Sequence, residues 1–208
     1  MAYYKESGYT YPEMRRLIRL SEGRPSLYYG GTAHGHASAM HQSIDNGTLV
    51  GRLKKLTAAS AFKDSATTNF GGSIKTEDQA FLMAEILNSK LGRAALQALD
   101  TAAGAGNCRL TICYLVANST TFALREAKLV IPTGVSKNQA KMNVGMYGVV
   151  DHNTPMQQII TVMDSGYPEL QIVTCFPGSE SDVTTFGNSG GYTVQVPGGG
   201  STTTKFTG

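Results

Sequence analysis

Residues 93–116 read RAALQALDTAAGAGNCRLTICYLV, and the fold class turns on them. Up to Leu99 the apolar residues recur at helical spacing. Gly104 and Gly106 end that texture. Over 110–116 a short apolar run containing Thr111 and Tyr114 has the composition of a strand.

Upstream of this junction the patterned segments are helical. Pro12 suits the first turn of a helix over 12–22, and Gly23 suits its end. Residues 37–44 allow about two helical turns. Asp45-Asn46-Gly47 breaks them, and Thr48 can cap a second helix running to 56. Residues 58–72 read as an exposed connection anchored by Phe62. Thr76-Glu77-Asp78-Gln79 has the form of a capping box. Ala80, Met83, Ala84, Leu87 and Leu91 then predict a helix over 77–91, interrupted at Gly92 and resumed over 93–99.

Downstream, strand candidates follow at 129–132, 144–150, 158–163 and 170–176, separated by Gly, Pro, Asn and Asp. Helices first and strands later predict an α+β domain with a mostly antiparallel, twisted sheet. Segment 1–29 reads as an N-terminal extension with a short helix, and 30–186 as the main domain. Segment 187–208, ending PGGGSTTTKFTG, reads as a flexible tail.

The chain has 208 residues, which suits one domain with appendages. No run of 18 apolar residues occurs, so a membrane-spanning helix is not expected. The opening MAYYKESGYTYPEMRR lacks the apolar stretch of a cleavable signal peptide. A net charge of +3 is too small to announce a broad nucleic-acid surface. Its distribution is uneven. Residues 1–60 carry 8 basic and 4 acidic side chains, and residues 149–208 carry 1 and 5, so an anion-binding face is expected from the first two thirds. Within it, Arg15, Arg16 and Arg19 interleave with apolar residues, which allows a solvated face or a phosphate-facing one. Cys108, Cys113 and Cys175 show no C-x-x-C spacing, so a zinc ribbon is excluded and buried reduced thiols are expected.

His34, His36 and His41 cluster, and His152 stands apart. A metal site fits them poorly. His36 and His41 are five residues apart, roughly 140° around a helix, which is not the i, i+4 geometry of paired helical ligands. No metal and no cofactor is therefore expected. A nucleophile elbow and a phosphate-binding glycine loop are also absent from the sequence.

Histidine used with arginine remains. His41 and Arg52 would lie about 16 Å apart in one unbroken helix, but the break at 45–47 allows the chain to turn back and bring them together. Metal-free RNA cleavage needs such a pair. The imidazole moves a proton at neutral pH, and the guanidinium stabilises charge developing on the phosphate. Lys54 and Lys55, beside Arg52, are candidate substrate-binding cations. Thr174 and Phe176 are two apart and share a strand face, where they can contact a phosphate oxygen and a base.

The segment Gly35-His36-Ala37-Ser38-Ala39-Met40-His41, followed by Leu49 and Arg52-Leu53, resembles the ribonuclease-A-like C-terminal toxin domain of contact-dependent growth inhibition and related polymorphic bacterial toxins. Ala59-Ser60-Ala61-Phe62-Lys63-Asp64 is similar to that family's next segment. Gln171-Ile172-Val173-Thr174-Cys175-Phe176-Pro177 is similar to its closing strand, where Thr-x-Tyr-Pro is usual. The resemblance covers roughly 30–178 in discontinuous patches. It implies a kidney-shaped α+β ribonuclease that needs no metal. His41 would be the general acid/base, Arg52 and Thr174 phosphate contacts, and Phe176 the aromatic. The implied substrate is RNA, with tRNA foremost, and no DNA or membrane is expected. The implied partner is a cognate immunity protein. The implied place of action is the cytoplasm of a target cell, reached by export without a cleavable signal. Phe176 in place of Tyr removes a phenolic hydroxyl, and Gln42 stands where Val is usual.

His36 is open between a structural place, a phosphate-side helper and a second catalytic base. His152, after a predicted strand, is open between a turn residue and a second acid/base. If His152 is the essential second imidazole, the chemistry is that of a barnase, EndoU or colicin-type nuclease. The low charge and the Gly/Ser/Thr-rich tail also suit a non-enzymatic phage or secretion-apparatus component.

Overall fold

The computed structural model describes residues 2–31, 34–42, 45, 48, 74, 76–116, 125–129, 133–134, 147–151, 157–178 and 190–206. Helix α1 (Tyr11–Ser21) starts where Thr10 accepts from the Glu13 amide, with proline in its first turn. Its buried residues Met14, Leu17, Ile18 and Ser21 fall at i, i+3, i+4 and i+7, one face of a helix. A short helix, α2 (Ala37–His41), follows. Then come α3 (Thr76–Asn88), α4 (Lys90–Ala102) and a single 3-10 turn, Ala103–Ala105.

The break between α3 and α4 lies at Ser89, three residues ahead of the expected interruption. Ser89 Oγ accepts from the Gly92 amide at 3.0 Å and donates to Ile86 O at 2.6 Å. Gly92 sits inside the first turn of α4 because a Cβ there would lie 2.0 Å from Ile86 O. Its role is close packing, not helix termination.

After Gly106 the chain is strands, as the junction predicted: β1 (Arg109–Val116), β2 (Arg125–Leu129), β3 (Tyr147–Asp151), β4 (Gln157–Asp164), β5 (Gln171–Gly178), β6 (Gly191–Gln195) and β7 (Ser201–Lys205). Five form one sheet in the order β5-β4-β1-β6-β7, with every pairing antiparallel. β2 and β3 make a separate antiparallel pair. The class is α+β, with helices preceding an antiparallel sheet, and the sheet is not a closed barrel.

The register separates the faces of the large sheet. Leu110, Ile112, Met163, Ile172, Cys175 and Val194 join the core with Leu82, Met83, Ile86, Leu96 and Leu99 of the helices. The alternate row aligns Thr111 with Val162 and Val162 with Thr174, on the opposite face. Cys113, Val162 and Phe176 form a small cluster of their own there.

Two boundaries differ from the sequence reading. The tail expected to be flexible contains β6 and β7, joined through Gly198 and Gly199 at φ +89 and +95. The Gly run is a hairpin turn, and the threonines are β-branched strand residues. Residues 1–29 are not an appendage either. Tyr3, Tyr9, Met14, Leu17 and Ile18 lie in the common core. The Tyr3 and Tyr4 amides donate to Asp100, and Asn88 exchanges two hydrogen bonds with Tyr9. At Thr48, the Asp45 carboxylate accepts from the Thr48 amide at 2.9 Å and from its hydroxyl at 2.5 Å. The remainder of the helix expected to 56 lies outside the described residues, as do 130–132 of a strand expected over 129–132.

All three cysteines are free and buried. Burial pushes the Cys175 thiol from 9.0 up to about 12, against a smaller opposing pull from the Thr161 hydroxyl. Burial likewise raises Cys108, Tyr3, Tyr9 and Tyr114. In the unfolded chain these groups ionise at their ordinary values. Between about pH 9 and 12 the unfolded state therefore binds fewer protons than the native one, and stability falls as pH rises. The urea midpoint at pH 10.5 is expected to lie below that at pH 8; an unchanged or higher midpoint contradicts this account.

Candidate active site

Strand β5 lies at one edge of the sheet, and its outward backbone groups are covered by side chains and by α2. The Ile172 amide donates to Ser21 Oγ at 2.8 Å, at the end of α1. The His36 amide donates to Val173 O at 2.8 Å. Gln79 of α3 is fully buried; its Nε2 donates to Cys175 O at 3.1 Å and to Ala37 O at 2.9 Å. These bonds seat α2 on the β5 edge.

The start of α2 is fixed by an acid from α1. Glu22 accepts from the Ser38 amide at 3.0 Å and from the Ala39 amide at 3.2 Å. Two orphan donors of the first turn are thereby satisfied by a negative charge, the favoured sign at that end. Gln42 closes the other end. Its amide N–H donates to Ser38 O at 3.0 Å and its Nε2 to Gln79 Oε1 at 2.6 Å, while its Oε1 accepts from Ser38 Oγ at 2.8 Å.

Gly35 makes the approach possible. A Cβ there would stand 2.1 Å from Ser21 O and 3.0 Å from Ile172 O. Only glycine lets residues 34–36 pass between α1 and β5, which gives the Gly-His pair of the sequence a packing reason.

His41 is the last residue of α2; its side chain lies outside what the structure describes. His36 occupies the N-cap position, with Nδ1 2.9 Å from His34 O. A carbonyl only accepts, so Nδ1 carries the proton and the ring is oriented. Thr174 is 7% exposed, and its Oγ1 is buried with no hydrogen-bond partner among the described residues. Phe176 is half-buried against Cys113 and Val162. The structure thus brings α2, Thr174 and Phe176 to one strand. Arg52, Lys54, Lys55 and His152 lie outside the described residues, so their place relative to α2 is not part of this geometry.

Three residues that hold the site, Glu22, Gln42 and Gln79, carry no local signal for that role in the sequence. Their bonds reach 16, 37 and 96 residues along the chain, so no local pattern announces them. Cys175 reaches no nucleophilic state here, because a fully buried thiol raised to about 12 stays protonated.

No protein-family model, curated protein or solved structure matches this chain. Among the described residues no helix is long and apolar enough to cross a membrane.

Proposed function

We propose that this chain is a metal-independent endoribonuclease toxin acting on RNA, tRNA foremost, in the cytoplasm of a target cell, with a cognate immunity protein as its partner. The observation that supports it most is the seating of α2, the helix ending in His41, on the edge of β5, the strand that carries Thr174 and Phe176.

In this reading His41 takes the proton of a ribose 2′-OH. The 2′-oxygen attacks phosphorus, the bond from phosphorus to the 5′-oxygen breaks, and that oxygen leaves as a hydroxyl after gaining a proton. The products are a 2′,3′-cyclic phosphate and a 5′-OH. Arg52 stabilises the charge on the phosphate oxygens. The Thr174 hydroxyl, a buried donor with no partner among the described residues, binds one of those oxygens. Such a group costs stability in the free protein and gains a bond on binding. Phe176 presents a ring to a base, and Lys54 and Lys55 take flanking phosphates.

With EDTA present, the purified chain is expected to cleave tRNA, and His41→Ala to lose about 10²–10⁴ in rate, the usual worth of a positioned acid/base. A His41→Ala variant as active as the parent overturns the reading. If His152→Ala is the one that abolishes activity, the chemistry is that of a barnase, EndoU or colicin-type nuclease.

One observation favours a second reading, a non-enzymatic assembly component. β7 is an edge strand, and 201–203 are exposed along it, a place where another strand can add. That reading expects a concentration-dependent rise in mass on size-exclusion chromatography and no cleavage of RNA.

A further inference from the structure

The described cations of the N-terminal region divide into two groups. Lys5 pairs with Glu13. Arg16 pairs with Glu169 at 2.5 Å, and Arg24 lies 4.5 Å from the Tyr167 ring centre. Arg15 and Arg19 are exposed and have no ion pair or ring contact among the described residues. They stand one turn apart on α1, ~6 Å along its axis.

Around them is a groove of about 450 Å³, lined by Tyr11, Pro12, Arg15, Arg16, Arg19 and Leu20. Leu20 is one of the few large apolar residues left exposed among the described residues, at 41%. The groove therefore combines guanidinium groups with apolar and aromatic walls. Single-stranded nucleic acid is bound by that combination, cations along the backbone and flat or apolar surfaces against the bases. An acidic peptide would use the cations and leave the apolar walls idle.

The groove also leads somewhere. Arg15 and Arg19 fall at i and i+4 of α1, and Glu22 caps the C-terminal end of the same helix. Glu22 holds the first amides of α2. The C-terminal end of α1 thus meets the helix that ends in His41.

We infer that the α1 groove binds the backbone of a single-stranded stretch of RNA outside the reacting site. Arg15 and Arg19 each take one phosphate, and Tyr11 and Leu20 meet the flanking bases. The choice of RNA rests on the ribonuclease reading; the groove itself does not.

The test uses the whole chain and a fluorescent single-stranded 2′-O-methyl oligoribonucleotide, which has no free 2′-OH and cannot be cleaved by 2′-oxygen attack. Affinity is read by anisotropy as NaCl is raised. Arg15→Gln/Arg19→Gln is expected to weaken binding about tenfold and to lower the slope of log K against log salt by about 1.4, two contacts at about 0.7 each. Lys90→Gln/Lys205→Gln removes the same charge from exposed positions elsewhere and is expected to change neither. Unchanged affinity and slope in the arginine variant, with a native circular dichroism spectrum, overturn the inference. So does competition by polyglutamate as strong as that by RNA of equal length, which assigns the groove to an acidic protein. If the arginine variant loses binding while the parent chain cleaves no RNA, the groove stands and the ribonuclease reading falls.

Discussion

Asp164→Ala is expected to cost about 3–5 kcal/mol of folding stability, the penalty for leaving a buried charge without its partner. Arg109 and Asp164 face each other across β1 and β4. Asp164 is fully buried, and Arg109 is 8% exposed. Two parallel bonds join them, at 2.7 Å from Nε and 2.8 Å from one terminal nitrogen. Ser26 and Tyr29 add to the pair. Ser26 donates to Asp164 and accepts from Arg109 at 3.2 Å. Tyr29 covers the guanidinium at 4.2 Å. With the carboxylate gone, Arg109 stays charged under a lid that excludes water, and the loop carrying Ser26 and Tyr29 loses its anchor. Arg109→Met is expected to be as harmful, whereas Arg109→Met/Asp164→Leu is expected to recover most of the loss, because apolar groups of similar volume need no partner. Urea denaturation of the three variants decides it. A double variant worse than either single one would mean that the network contributes more than the cost of its own desolvation.

Gly35→Ala is expected to cost about 3 kcal/mol, at the upper end for overpacking. The added carbon meets main-chain oxygens on two sides, 2.1 Å from Ser21 O and 3.0 Å from Ile172 O, and neither can rotate away as a side chain would. Relief requires α1 and β5 to separate or the 34–36 segment to lift. The second course breaks the His36 to Val173 bond and unseats α2. On the proposed ribonuclease reading, Gly35→Ala should therefore lower cleavage as well as thermal stability. An exposed glycine such as Gly104 has nothing within 4 Å of a Cβ, and Gly104→Ala is the matched control. Equal melting temperatures for the two variants would contradict the close approach.

The contrast between these positions shows what the sequence made legible. Helix α1, strands β1, β4 and β5, and the α+β order could be read because each is written in a local period of about 3.6 or 2 residues. Thr174 and Phe176 on one strand face were legible for the same reason, and so was a helix starting at residue 37, although it ends at His41 and was expected to run to 44. The β6–β7 hairpin was not. Its Gly and Thr have the composition of a linker, and only pairing with β1 makes it a sheet. Glu22 and Gln79 are ordinary polar residues until the fold brings amides and carbonyls to them. Ser89, not the more conspicuous Gly92, divides α3 from α4, because a capping hydroxyl acts through a hydrogen bond, whereas the glycine answers to crowding.

The two margins of the large sheet differ in a way that limits how copies can associate. At β5 the outward groups of Ile172, Val173 and Cys175 are already bonded to Ser21, His36 and Gln79. At β7 the chain ends in a threonine strand with Lys205 as its one charge. Among the described strands of this sheet, β7 is then the margin open to strand addition. Two copies joined β7 to β7 would form a two-fold pair with both β7 margins consumed, and head-to-tail growth into filaments would find the β5 margin of this sheet already bonded.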